Sequence, residues 1–236
     1  MSAMIVKCIW EHNGNDTLLY ANDFPGAFTR GESREIALGK MPAEINFYFK
    51  WCNKAVPDII VPQIIQEHRS ELNISDADTD VIFESEKRPL SKEEYFELKA
   101  IVLKSAMDFQ KLYESIPDKN ISCLPARRTF YGDVPRMAFE MYEHTKNVND
   151  YYFGEIGVHT DNAGTIFECR QKGFDLLENT ENYLNNDVFN GCYNEQWSLR
   201  KVLRRFIWHD RIHAKAMYKM ARKTFSENSV ENVFRF

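Results

Sequence analysis

Two histidines stand four residues apart near the end of the chain, in Trp208-His209-Asp210-Arg211-Ile212-His213. The segment has unbroken helical character, and an i, i+4 spacing puts both imidazoles on one helix face, close enough to hold a single metal ion. A catalytic metal centre usually takes three protein ligands and leaves a position for water or substrate, so a third ligand must come from elsewhere. A zincin-type peptidase carries glutamate directly after its first helical histidine as general base. Here that position is Asp210, one methylene shorter, which argues against peptide hydrolysis. The helices also lack the Glu plus Glu-x-x-His pattern of di-iron bundles.

The helical period sorts the six histidines of the chain. His144 falls on an apolar stripe with Met137, Met141, Val148 and Tyr152; His209 and His213 fall on one with Leu199, Val202, Phe206 and Met220. His12, His68 and His159 belong to a hairpin turn, a polar stretch and a loop. A lone imidazole on such a stripe more often packs in a core than binds metal. Three of them facing one core are costly unless something coordinates or hydrogen-bonds them. One divalent ion would satisfy all three, so His144, His209 and His213 are the predicted metal ligands, for which zinc, nickel, iron and manganese are all suitable. Three neutral imidazoles leave the ion its full charge, which lowers the pKa of bound water or thiol. Asp210 and Glu140 are candidates for orienting an imidazole, and Arg211 for attracting an acidic substrate or a thiol carboxylate; solvated helix positions or a surface ion pair are the alternatives. Trp208, Tyr142 and Tyr152 would wall a pocket or pack in the core.

These residues need helices to position them, and four can be drawn from residue 91 onward. The first opens with the capping box Ser91-Lys92-Glu93-Glu94 and carries the stripe Tyr95, Leu98, Val102, Phe109, Leu112 and Ile116. The second opens at Asp133 and Pro135 and runs to about Glu155; the third spans about Thr165 to Leu184 with Gly173 inside it; Ser198 caps the fourth. Four amphipathic helices of this length predict a four-helix bundle. The first eighty-odd residues instead carry strand signals: Met4 to Trp10 and Thr17 to Ala21 flank the hairpin turn Asn13-Gly14-Asn15-Asp16, Ala27 to Arg30 is extended, and Val81-Ile82-Phe83 offers one more strand. Ser33 caps a helix reaching about Cys52, which Gly39 and Pro42 should kink or divide.

Composition narrows the setting. With 236 residues, 44% of them hydrophobic, the chain can bury one large core or two small ones. Its first residues lack the pattern of a signal peptide and no run approaches a membrane span, so a soluble cytoplasmic protein is expected. Five scattered cysteines without Cys-x-x-Cys spacing read as reduced packing thiols. Nine Lys/Arg against the single acid Asp210 make the segment from Ser198 to Phe225 +8, which leaves −13 on the remainder of a chain whose net charge is −5. A solvated helix face is the favoured reading of that cationic run over an anion-binding surface, and nucleic acid is an unlikely partner at a pI near 5.8.

Two resemblances add to this. Asp23-Phe24-Pro25-Gly26-Ala27-Phe28-Thr29-Arg30-Gly31, followed by Glu32-Ser33-Arg34-Glu35-Ile36-Ala37-Leu38, resembles the core of HicB-like domains, small β-β-β-α-β modules best known as antitoxins. Only the fold is carried over, because no DNA-reading element follows. Glu143-His144-Thr145-Lys146-Asn147-Val148-Asn149-Asp150-Tyr151-Tyr152 and Trp197-Ser198-Leu199-Arg200-Lys201-Val202-Leu203, with Ile207 through His213, resemble the histidine segments of the DinB/YfiT-like superfamily. That resemblance implies His144, His209 and His213 as ligands of zinc or nickel, frequent homodimers, and relatives that include thiol-dependent S-transferases and a maleylpyruvate isomerase.

The sequence therefore predicts an α+β protein with a HicB-like α/β domain over residues 1–88 and an all-α DinB-like four-helix bundle over 89–236. The expected function is metal-dependent thiol transfer or hydrolysis on a small electrophilic substrate, with a low-molecular-weight thiol as possible cosubstrate. The alternative is a non-enzymatic regulatory or binding module, its N-terminal domain contacting a protein partner and its metal structural.

Overall fold

The computed structural model describes residues 3–129, 132–225 and 230–236. Its N-terminal part traces β-β-β-α-β: β1 (Met4–His12), β2 (Thr17–Ala21), β3 (Phe28–Gly31), α1 (Arg34–Trp51) and β4 (Ile60–Arg69) form one sheet in the order β3-β2-β1-β4. Strands β1, β2 and β3 are antiparallel neighbours, whereas β4 returns over α1 to lie parallel to β1. The Asn13 side chain closes the first hairpin by accepting from the backbone N–H of Asn15 and of Asp16, both at 3.0 Å.

Two expectations for this region are corrected. Strand β4 lies at Ile60–Arg69, where alternate residues turn inward, and Val81 to Phe83 joins no strand ladder. Pro62 sits in β4 without breaking it because β4 is an edge strand, where a missing N–H need not interrupt a ladder. Helix α1 is not divided: it is continuous from Arg34 to Trp51 with Pro42 inside. Burial of Ala37, Met41, Ile45 and Tyr48 along one face offsets the local cost of proline.

Helices make up most of the remainder. Helix α2 spans Lys92–Ser115 behind its Ser91/Glu94 capping box, and α3 (Ala138–Lys146), α4 (Val148–Gly154), α5 (Ile166–Glu178) and α6 (Leu199–Phe225) follow. Two short hairpins pair β5 (Arg128–Thr129) with β6 (Gly132–Asp133), and β7 (Phe189–Asn190) with β8 (Gln196–Trp197). The helix expected from Asp133 to Glu155 is interrupted at Asn147, because Asn162 accepts from Asp150 N at 3.1 Å and donates to the Asn147 carbonyl at 3.3 Å, substituting for helical partners. Helix α5 stops at Glu178 and not at Leu184; the Asn179 side chain donates to the Asp175 carbonyl, and Asn182 and Asn186 take left-handed conformations.

Helix α6 is the centre of the molecule. It packs on α2, α3 and α4 and also meets the N-terminal part, where Gly26, at φ +86°, comes so close that a Cβ there would stand 2.4 Å from the Ile207 side chain. The buried apolar cluster is continuous from Val6, Leu19, Met41 and Tyr48 to Val102, Phe153, Phe206 and Met217. The first half of the cationic run is accordingly no solvated face, whereas Lys219 and Lys223 further along are exposed. Lys201, Arg204, Arg205 and Arg211 are all buried. Arg211 meets Glu44 at 2.6 Å and the Gly26 carbonyl at 3.1 Å, Lys215 meets Glu44 at 2.8 Å, and Arg204 pairs with Glu86. The positive helix and the acidic remainder neutralise one another across the interior, where unpaired charge would be costly. Among the described residues no helix is long and apolar enough to cross a membrane.

Candidate metal centre

His209 and His213 lie one turn apart on α6, and α3 brings His144 against both. Ring centroids are 4.5 Å apart for His209 and His213, 4.7 Å for His144 and His213, and 5.1 Å for His144 and His209. One nitrogen of each ring lies within 4.8 Å of the others, so the triad is close enough to hold a metal ion. None of the three rings hydrogen-bonds to a described residue, and the Nδ1 of His209 is buried without a partner among them. Burial lowers the pKa of all three, His213 to about 3, with the neighbouring imidazoles adding to the effect at His209 and His213. The rings are therefore neutral at physiological pH, the state in which imidazole donates a lone pair to a cation. Neutral imidazole nitrogens are the donor set a divalent transition metal requires.

The expectation that all three histidines lie in the bundle interior is corrected for His144. His209 is buried, His213 is half-buried and His144 is exposed, and all three line a cavity of about 660 Å³. Tyr152, Trp208, Ile212 and Tyr193 supply apolar wall, and Arg205, Arg127, Asp133, Glu195 and the segment from Asp76 to Asp80 supply polar groups. Of the aromatic candidates, Trp208 and Tyr152 line this cavity, with Tyr152 edge-on to His209 at 6.1 Å between centroids. Tyr142 instead packs against Phe109 and Tyr113 and accepts from Ile166 N at 3.1 Å.

The three candidate supporting residues have other partners. Asp210 is fully buried and pairs with Arg170 of α5 at 3.0 Å; burial raises its carboxyl, while Arg170 and Ser105 pull the other way. Glu140 accepts from Arg136 N at 2.9 Å and Met137 N at 3.1 Å, capping the start of α3 and so fixing the helix that carries His144. Arg211 points to α1 and is not part of the cavity wall. Arg170 and Arg205 were not singled out from the sequence, although Arg205 stands one helical turn before His209 and shares its face.

A second cluster, Glu11, His68 and Asp80, anchors the cavity wall. The Glu11 carboxylate accepts from the Tyr20 hydroxyl at 2.9 Å, the Thr79 hydroxyl at 2.6 Å, and the backbone N–H of Asp80 and of Val81 at 3.0 and 3.2 Å. His68 meets Asp80 at 2.9 Å. These groups already satisfy one another, and their effect is to tie residues 79–81 to the ends of β1 and β4.

No family model matches the chain, and no curated protein or solved structure matches it either.

Proposed function

We propose that this protein is a metal-dependent enzyme acting on small molecules, with His144, His209 and His213 as the ligands of a divalent ion, zinc or nickel. The observation that carries the reading is the convergence of three neutral imidazoles, without hydrogen bonds to the described residues, beside a cavity that reaches solvent. Structural zinc sites close with four protein ligands, whereas three ligands beside a cavity leave a position for a reactant, which supports catalysis over a structural role. A bound ion would supply Lewis-acid activation of a thiol or water for attack on an electrophilic substrate.

The chain's own residues do the positioning. Two of the donors share one rigid helix, α6, whose place is held by the buried Arg170–Asp210 and Arg211–Glu44 pairs on different sides. Glu140 fixes the first turn of α3, and the rings of Tyr152 and Trp208 reduce water access beside His209. A DinB-like bundle with thiol S-transfer as its reaction belongs to this proposal, as does a HicB-like character for the N-terminal part; the β-β-β-α-β order and the histidine triad support them. The test is elemental analysis of protein purified without a metal-affinity tag, as wild type and as His209→Ala with His213→Ala. About one equivalent of zinc or nickel in the wild type, lost in the variant, is expected. Failure of the wild type to take up either metal when it is added would end the proposal.

A further inference from the structure

Arg205 is only 9% exposed, yet no carboxylate of a described residue lies within ion-pair distance of it. One nitrogen donates to the Thr79 carbonyl at 3.1 Å, and Nε is buried with no acceptor among the described residues. Its guanidinium carbon lies 5.0, 5.4 and 5.5 Å from the ring centroids of Trp208, Tyr152 and Trp197. The neighbouring cations of α6 differ: Arg204, Arg211 and Lys201 each have a carboxylate partner. Arg205 also lines the cavity, as does Trp208, whose buried Nε1 likewise lacks an acceptor. The Glu195 and Glu11 carboxylates favour the charged guanidinium from beyond ion-pair distance and Tyr152 lies against it, but two buried donors without acceptors among the described residues on one cavity wall call for a ligand that accepts.

We infer that Arg205 is the seat of a carboxylate on the small molecule that occupies this cavity, one helical turn from the group that faces His209 and His213. The line Arg205, His209, His213 follows i, i+4, i+8 spacing, so a ligand carrying its anion and its metal-directed group about 5–6 Å apart would span the first step. A planar monoanion suits a single guanidinium fork. A dianion such as phosphate suits it less, because Asp78, Asp80 and Glu195 also line the cavity. Asp76, Asp80 and Glu195 are engaged with Arg127, His68 and Lys201, which leaves Asp78 and Asp133 as the lining carboxylates that an incoming anion must pass. The metal-directed end of this ligand rests on the function proposed above; the carboxylate seat does not.

The experiment titrates 3-mercaptopropionate and the uncharged 2-mercaptoethanol into zinc-treated and metal-free protein by calorimetry, with wild type, Arg205→Met and Arg205→Lys. The wild type is expected to prefer the carboxylate-bearing thiol by about tenfold or more in both forms, with the preference lost in Arg205→Met and partly kept in Arg205→Lys. The wild-type comparison needs no substitution, so a variant that fails to fold does not remove the test. A preference that persists in metal-free protein while zinc changes nothing would retain the carboxylate seat and end the metal reading. Zinc uptake with equal affinity for both thiols would do the reverse. Equal affinities in both forms of the wild type, undetectable binding of 3-mercaptopropionate, or an unchanged preference in folded Arg205→Met would each overturn the inference.

Discussion

The Asp210 carboxylate meets the Arg170 guanidinium at 3.0 Å with both side chains fully buried, and Asp210 directly follows His209 in α6. The pair joins α6 to α5, and Arg170 also packs over the Phe206 ring at 3.7 Å. An acid that reads from the sequence as an exposed helix residue or an imidazole partner is instead half of an interior ion pair, because α6 is covered on nearly every side.

Breaking this pair from one end should be severe. Asp210→Asn or Arg170→Met leaves a charge buried without its partner, at a cost of about 3–5 kcal/mol. Replacing both by apolar residues should cost much less than the sum. Urea denaturation of the two single variants and the double variant checks this; additive losses would mean that the two charges do not interact.

His144→Ala should weaken zinc binding by at least about tenfold while leaving thermal stability nearly unchanged, since an exposed side chain contributes little packing. Competition with a chelating dye, alongside thermal melts of the metal-free proteins, measures both quantities. Unchanged affinity would remove His144 from the ligand set.

The His68–Asp80 pair should give stability a dependence on pH. Burial works to raise the Asp80 carboxyl, but the hydrogen bond and charge of His68 bring it down to about 2, below its unfolded value of 3.8. That stabilisation is complete above the unfolded value and is lost as pH falls through about 2. The hydrogen bond to Asp80 raises His68 above 6.5, so its contribution is complete below 6.5 and disappears as pH rises through the folded value. The stability difference between wild type and Asp80→Asn should therefore be largest between 3.8 and 6.5 and shrink on either side. Denaturant unfolding across that range measures it, and a difference independent of pH would show that the pair does not titrate as described.

Gly173→Ala should destabilise the protein by about 1–3 kcal/mol, because the added Cβ would stand 2.1 Å from the Phe153 ring where α5 crosses α4. Adding Phe153→Leu should recover part of the loss. If the double variant is as unstable as the sum of the singles, the contact is not the cause.

Local patterns in the sequence determined most of the elements and the candidate ligands. The Asn13 turn, the Ser33 and Ser91 caps and the stripes of α2 and α6 depend on neighbours a few residues away, so spacing alone reveals them. The same is true of His209 and His213, which one helix aligns, and the shared stripe character of His144 pointed to the same place. Tertiary structure decided what surrounds them. Helical period shows which residues share a face, but not whether the opposite face meets water or another layer; the N-terminal part covers that face of α6, and Arg204 and Arg211 of the cationic run became halves of buried ion pairs. The break at Asn147 depends on Asn162 and the cavity beside the histidines on chain packed from both halves, contacts between residues distant in sequence that no local spacing encodes. Arg205 belongs to both levels. Its turn-to-turn alignment with His209 is written in the sequence, whereas the lack of any described carboxylate close enough to pair with it emerges only from the fold.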